Sequence, residues 1–191
     1  MTGFVRVTIA AALAVALSAC TSDLAVQRQE RIAQDPAAMM RIAAAAETSG
    51  DTAGAMAFYQ RAAALQPDST AAQMGVARSL AAQGEVDQAI EVLRSVQKRE
   101  SFDAELCSTL GRLLVTANRP DEALAAFEDG LSHDPQSVPM LIGQGVSLDA
   151  AGRHDAAQES YRKVLDIDPN NRAAQKDLAL SLSLSGRPAS R

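Results

Sequence analysis

Aligned on itself at a step of 34 residues, the chain repeats its small, bulky apolar and turn-forming positions in fixed columns. Gly50, Gly84, Asn118, Gly152 and Gly186 share one column. All five are residues that tolerate a left-handed backbone, as a tight turn between two helices demands. Ala55, Ala89, Ala123 and Ala157 form a second column, and Tyr59, Leu93, Phe127 and Tyr161 a third. Pro67, Pro135 and Pro169 form a fourth, with Ser101 replacing Pro in the second unit. Upstream lie Ala43, Ala77, Gly111, Gly145 and Ala179, then Ala46, Leu80, Leu114, Leu148 and Leu182.

Each column has a physical task. The small residues of the Ala43 and Ala55 columns let two helices cross closely. The Tyr59-type residue fills the space between one unit and the next. Pro67-type residues stop the second helix, after which Asp68-Ser69 or Asn170-Asn171 caps the next one. Pro120 starts a second helix, where a missing N–H costs little. The pattern predicts an all-α chain of helix-turn-helix units at 36–69, 70–103, 104–137 and 138–171, with a capping helix at 172–185. Arg172, Gln175 and Lys176 are expected on the polar outward side of that cap. Residues 186–191 are read as a tail.

The columns resemble the tetratricopeptide repeat. That resemblance implies a right-handed superhelical solenoid whose concave face, lined by first helices, binds peptides or helices. The chain departs from the family where Trp is common, carrying Met39, Gln73, Cys107 and Leu141 instead. Ligand-facing positions in the family fall at the second, fifth, ninth and twelfth places of each first helix. Carried over, the fifth row reads Met40, Met74, Ser108, Ile142 and Lys176. The ninth reads Ala44, Arg78, Arg112, Val146 and Leu180, and the twelfth Glu47, Ala81, Val115, Asp149 and Ser183. The resemblance thus implies a partner-binding groove of Met40, Ala44, Met74, Arg78, Ser108, Arg112, Ile142, Val146 and Asp149. The Lys, Asn and Arg clamp of chaperone-binding members is absent. A mostly apolar groove with two arginines one unit apart suits an amphipathic client helix. Packing of Met40 and Met74 against neighbouring helices, with the arginines as a solvated rim, is the alternative.

The N-terminus follows another pattern. Arg6 precedes an apolar stretch, Val7 to Ala19, of signal-peptide length and short for a membrane span. It ends in Leu17-Ser18-Ala19-Cys20, which resembles the lipobox of bacterial lipoproteins. The resemblance implies cleavage after residue 19 and lipid on the Cys20 thiol, with residues 20–35 as lipidated N-terminus and tether. Thr21, rather than Asp, is compatible with the periplasmic face of the outer membrane. The two cysteines then leave no disulfide framework, and Cys107 falls at a core-facing position.

Composition narrows the function. Aromatics are 3% with no Trp, which favours close-packed helices. A net charge of −5 argues against a nucleic-acid partner. His133 and His154 lack a second ligand at metal spacing, and neither a nucleophile set nor a phosphate loop is present. Glu128-Asp129 is expected on a solvated outer face. The expectation is a non-enzyme that needs no cofactor, metal or small-molecule substrate. The closing segment Asp177–Arg187, with the plan of lipobox, tether, four repeats and terminal helix, resembles the TadD family of tight-adherence (Flp) pilus assembly lipoproteins. That implies a pilotin-like role towards a secretin or another pilus-assembly subunit. An adaptor for a cell-wall hydrolase and a member of the outer-membrane protein insertion machinery are the alternatives; an enzyme whose repeats present substrate would need a non-repeat domain.

Overall fold

The computed structural model describes residues 34–98 and 103–186. The signal peptide, Cys20, the tether up to residue 33, the junction at Ser101 and the tail from Arg187 lie outside the described residues. The described residues are helical, with no strand among them. In chain order the helices are α1 Pro36–Thr48, α2 Thr52–Leu65, α3 Thr70–Ala82, α4 Val86–Gln97 and α5 Ala104–Thr116. They continue with α6 Pro120–His133, α7 Val138–Ala150, α8 His154–Ile167 and α9 Arg172–Leu184.

The turn column explains the tight corners. Asn118 has φ +56°, and the four glycines of its column are also left-handed. Asn tolerates that region because its short polar side chain adds little clash. The reversal folds the next N–H back onto a helix carbonyl: Arg119 N donates to Leu114 O at 2.9 Å, and Arg153 N to Leu148 O at 2.8 Å. Second helices end differently. Gln66, Asp134 and Asp168, each preceding a proline, have ψ of 83–89°, outside the helical region. In α4, whose unit lacks that proline, the capping residue Lys98 keeps helical angles. Side-chain caps start α5 and α9, where Asp103 accepts from Leu106 N at 2.9 Å and Asn171 from Ala174 N at 3.1 Å, whereas Ser137 before α7 makes no such bond.

The chain divides into two compact units, Met1–Ala72 and Gln73–Arg191, with the division inside α3. In the first, α1 packs on α2 around Met39, Ala62 and Ala72. In the second, α5–α6 and α7–α8 form pairs, α6 also packs on α7, and α8 on α9. First helices touch their successors as well, α5 on α7 and α7 on α9. This is the layering of an all-α solenoid: each pair buries its apolar side only against the next. Its interior includes Leu124, Leu148, Ala157 and Tyr161, and a second cluster of Leu141, Val164 and Ala174.

Candidate protein-binding surface

In the second unit, the succession of α5, α7 and α9 sets equivalent positions of the first helices into rows. Ser108, Ile142 and Val146 are half-buried along these rows, and Arg112 is exposed. Ile142 also packs against the Leu141–Val164–Ala174 cluster. Met74 is 3% exposed and lies in the interior. This corrects its placement among the groove residues: a thioether that fills a gap between helices is not available to a client. In the first unit, Met40 is half-buried against the Met39–Ala62–Ala72 cluster, while Ala44 is exposed.

The two arginines differ. Arg78 lies 3.6 Å from Glu105 of α5, so its charge already has an internal counter-ion. Arg112 is exposed, and its guanidinium makes no ion pair among the described residues. Arg94 of α4 pairs with Glu91 and Glu122, and Arg119, which caps α6, with Glu122 at 2.7 Å and Asp87 at 3.8 Å. The Arg119 hydrogen bond, then burial working the other way, then Arg94, leave the Glu122 carboxyl below its ordinary range. Arg112 is thus an exposed cation in the row that continues to half-buried Val146, open to a carboxylate.

Asp149 has another task. Its side chain is 14% exposed. Oδ1 accepts from Ser181 Oγ at 2.7 Å and lies 2.8 Å from His154 Nδ1, and Oδ2 accepts from Tyr161 OH at 3.0 Å. The carboxylate therefore ties α7 to α8 and α9 and is corrected from groove residue to internal joint. Burial, then the Asp149 charge, pushes the Tyr161 hydroxyl far above its ordinary range, so it stays a donor. The first unit repeats the device, with Tyr59 OH donating to Glu47 Oε2 at 2.8 Å.

Serine, histidine and aspartate meet here without forming a nucleophilic relay. Ser181 donates to the carboxylate and to His154 O at 3.2 Å, whereas a relay needs the serine proton aimed at the imidazole. An open hollow of about 410 Å³ lies nearby, lined by residues that include His154, Asp155 and Ser185. No group of three or more metal-ligating side chains occurs among the described residues, and no described helix is long and apolar enough to cross a membrane. Cys107 is buried, donates weakly to Asp129 Oδ2 at 3.7 Å, and has its pKa pushed up to about 11, chiefly by burial.

Two leucines of α9 extend the exposed surface. Leu180, which ends the ninth row, is 54% exposed, and Leu184 one turn on is 53% exposed.

A family model described as Tetratricopeptide repeat matches residues 7–170. Among curated proteins, the chain is 37% identical over 114 residues to the uncharacterized protein y4yS of Sinorhizobium fredii, covering 60% of this chain and 62% of the relative. It is 27% identical over 133 residues to the general transcriptional corepressor ssn6 of Schizosaccharomyces pombe, covering 69% of this chain and 12% of that protein. The chain therefore spans less than two thirds of both relatives. Among solved structures it resembles MamA from Desulfovibrio magneticus, with TM-score 0.72, 16% identity, and 79% and 85% of the two chains covered. It also resembles YrrB, described as a TPR protein with an unusual peptide-binding site, with TM-score 0.68, 18% identity, and 84% and 83% covered. At these identities the likeness to MamA and YrrB is one of fold.

Proposed function

The chain belongs to the tetratricopeptide repeat family, and from that premise we propose that it is a membrane-anchored assembly factor of pilotin type, acting for a tight-adherence (Flp) pilus and its secretin. The repeats themselves make it a protein–protein interaction scaffold. Lipid on Cys20 holds it on the periplasmic face of the outer membrane, and the first-helix face of the second unit captures a helix or extended tail of the client. The observation that carries the capture step is Arg112: an exposed cation that makes no ion pair among the described residues, on the helix that carries half-buried Ser108 and one repeat before half-buried Val146. A carboxylate on an otherwise apolar client segment completes it, because guanidinium and carboxylate pair bidentately. The peptide-binding site reported for YrrB supports such use of the fold.

The anchor follows from energetics. Each methylene buried in the bilayer contributes about 0.8 kcal/mol, so two or three acyl chains hold the protein without dissociation. Confining scaffold and client to one membrane raises their effective concentration, so a weak groove suffices. The support for the pilus itself is the likeness of the closing segment Asp177–Arg187 to TadD.

Mass spectrometry of the N-terminal peptide from membranes tests the reading. The expected species begins at Cys20 with a diacylglyceryl group, and Cys20→Ser accumulates as unlipidated precursor with loss of secretin multimers. A mature protein with an unmodified Cys20 thiol, or secretin assembly unchanged in its absence, overturns it.

A further inference from the structure

The eighth position of the first helices is covered until the last of them. Ala43, Ala77, Gly111 and Gly145 are all buried. At Gly111 and Gly145 the cover is an aromatic ring from the second helix: a methyl group on Gly111 would sit 2.6 Å from Phe127 Cζ, and one on Gly145 2.4 Å from Tyr161 Cε1. Ala179 holds the same place in α9 and is exposed. Among the described residues no second helix follows α9. Arg172, Gln175 and Lys176 are exposed on α9, and two leucines are exposed with them. Leu180 and Leu184 stand where preceding units carry Arg112 and Thr116, or Val146 and Ala150.

We propose that α9 is an open half-repeat, completed by an amphipathic, acidic-flanked helix of a partner protein that lays a bulky apolar side chain over Ala179 and covers Leu180 and Leu184. Charge selects this occupant. Arg172 and Lys176 are exposed one turn apart and make no ion pair among the described residues. The one acid of α9, Asp177, is half-buried and acts on Tyr161. A second copy's α9 would bring the same two cations and no exposed acid. A bilayer has no use for a small residue kept clear for a ring. An acidic helix answers all three features; α6, which covers Gly111 of its own repeat with Phe127, also carries Asp121, Glu122, Glu128 and Asp129.

The sequence of α6 therefore supplies the probe. A synthetic peptide spanning Pro120–His133 is titrated into the isotope-labelled full chain and followed by NMR. The expected result is saturable shifts confined to α9. Arg172→Glu/Lys176→Glu should weaken binding about fivefold, the scale of two exposed ion pairs. Leu180→Ser/Leu184→Ser should abolish it; both leucines are exposed, and circular dichroism checks that the fold is kept. A peptide with its four acids changed to Lys should bind less. Four results overturn the proposal: no saturable shift at α9, shifts that survive the leucine substitutions, α9 shifts that grow with protein concentration alone, or α9 shifts with phosphatidylglycerol vesicles but not with peptide. The surface adjoins the inner face at Leu180, yet Arg112→Glu should leave the peptide bound at α9, so this proposal and the client groove fail separately.

Discussion

Phe127 and Tyr161 occupy the same place in successive repeats, and the two joints they build hold by different means. Phe127 is fully buried between two glycines of different helices. A methyl group on Gly111 would meet its ring at 2.6 Å, and one on Gly143 at 2.3 Å. That joint is closed by shape: the ring fills the gap and the absent Cβ atoms make room for it. Tyr161 has Gly145 on one side, but the position equivalent to Gly143 is Asp177. Here the hydroxyl reaches out and donates to Asp149, which Ser181 of α9 also engages. The Phe127 joint is apolar, and the Tyr161 joint, buried as well, is a hydrogen-bonded tie. A ring with a polar tip suits a buried site that offers it an acceptor.

The comparison breaks most visibly at Phe127. Phe127→Ala should cost about 3–5 kcal/mol, because it empties a site that cannot collapse without moving two helices. Thermal melts read the loss, and a drop no larger than that of an exposed substitution contradicts the joint. Gly143→Ala should cost about 1–3 kcal/mol by overpacking a ring that Gly111 prevents from retreating. Gly152→Ala is its control. Its Cβ meets open space, so only the left-handed φ of +73° is strained, at about 1 kcal/mol. Tyr161→Phe keeps the ring and removes one hydrogen bond to a carboxylate that retains two other partners, for about 1 kcal/mol. If it costs as much as Phe127→Ala, the distinction between a shape joint and a polar tie is wrong.

The smallest effect is confined to alkaline pH. The Cys107 thiol is raised from 9.0 to about 11 in the folded chain, so the fold favours the protonated form. Its contribution is complete below pH 9 and is lost as pH rises through 11. The stability difference between wild type and Cys107→Ala should stay constant below pH 9 and move against the wild type above it, as denaturation at a series of pH values would record.

Much of the fold was legible because each repeat column answers a constraint few residues meet. A left-handed corner admits Gly or Asn, a proline expels its predecessor from the helix, and a close crossing needs Ala or Gly. The candidate surface was less so, because one column serves different ends. Met40 and Met74 share a row, yet Met74 is buried and Met40 half-buried, and row position carries no record of what packs over it. Asp149 had a usable signal. The twelfth place is acidic only where the third-column residue is Tyr, as Glu47 with Tyr59 and Asp149 with Tyr161, and it is Ala81 or Val115 beside Leu93 or Phe127. That pairing marks an internal bond rather than a groove charge. The leucines of α9 were also readable. Leu178, Leu180, Leu182 and Leu184 recur every second residue, and at 100° per residue such a series cannot share one helix face. Leu178 and Leu182 are half-buried, which leaves Leu180 and Leu184 exposed.

The central claim is that the first-helix face of the second unit binds the client through Arg112. Tagged full-length protein, recovered from the envelope with its client, measures this directly when wild type is compared with Arg112→Glu and with Arg78→Glu/Arg112→Glu. Both positions are at least partly exposed, so folding and membrane attachment should be unchanged. The account predicts that Arg112→Glu alone loses most of the client. Adding Arg78→Glu should change little more, since Glu105 already neutralises Arg78. A double variant that still recovers its client at the wild-type level contradicts it and moves the binding site to the second helices.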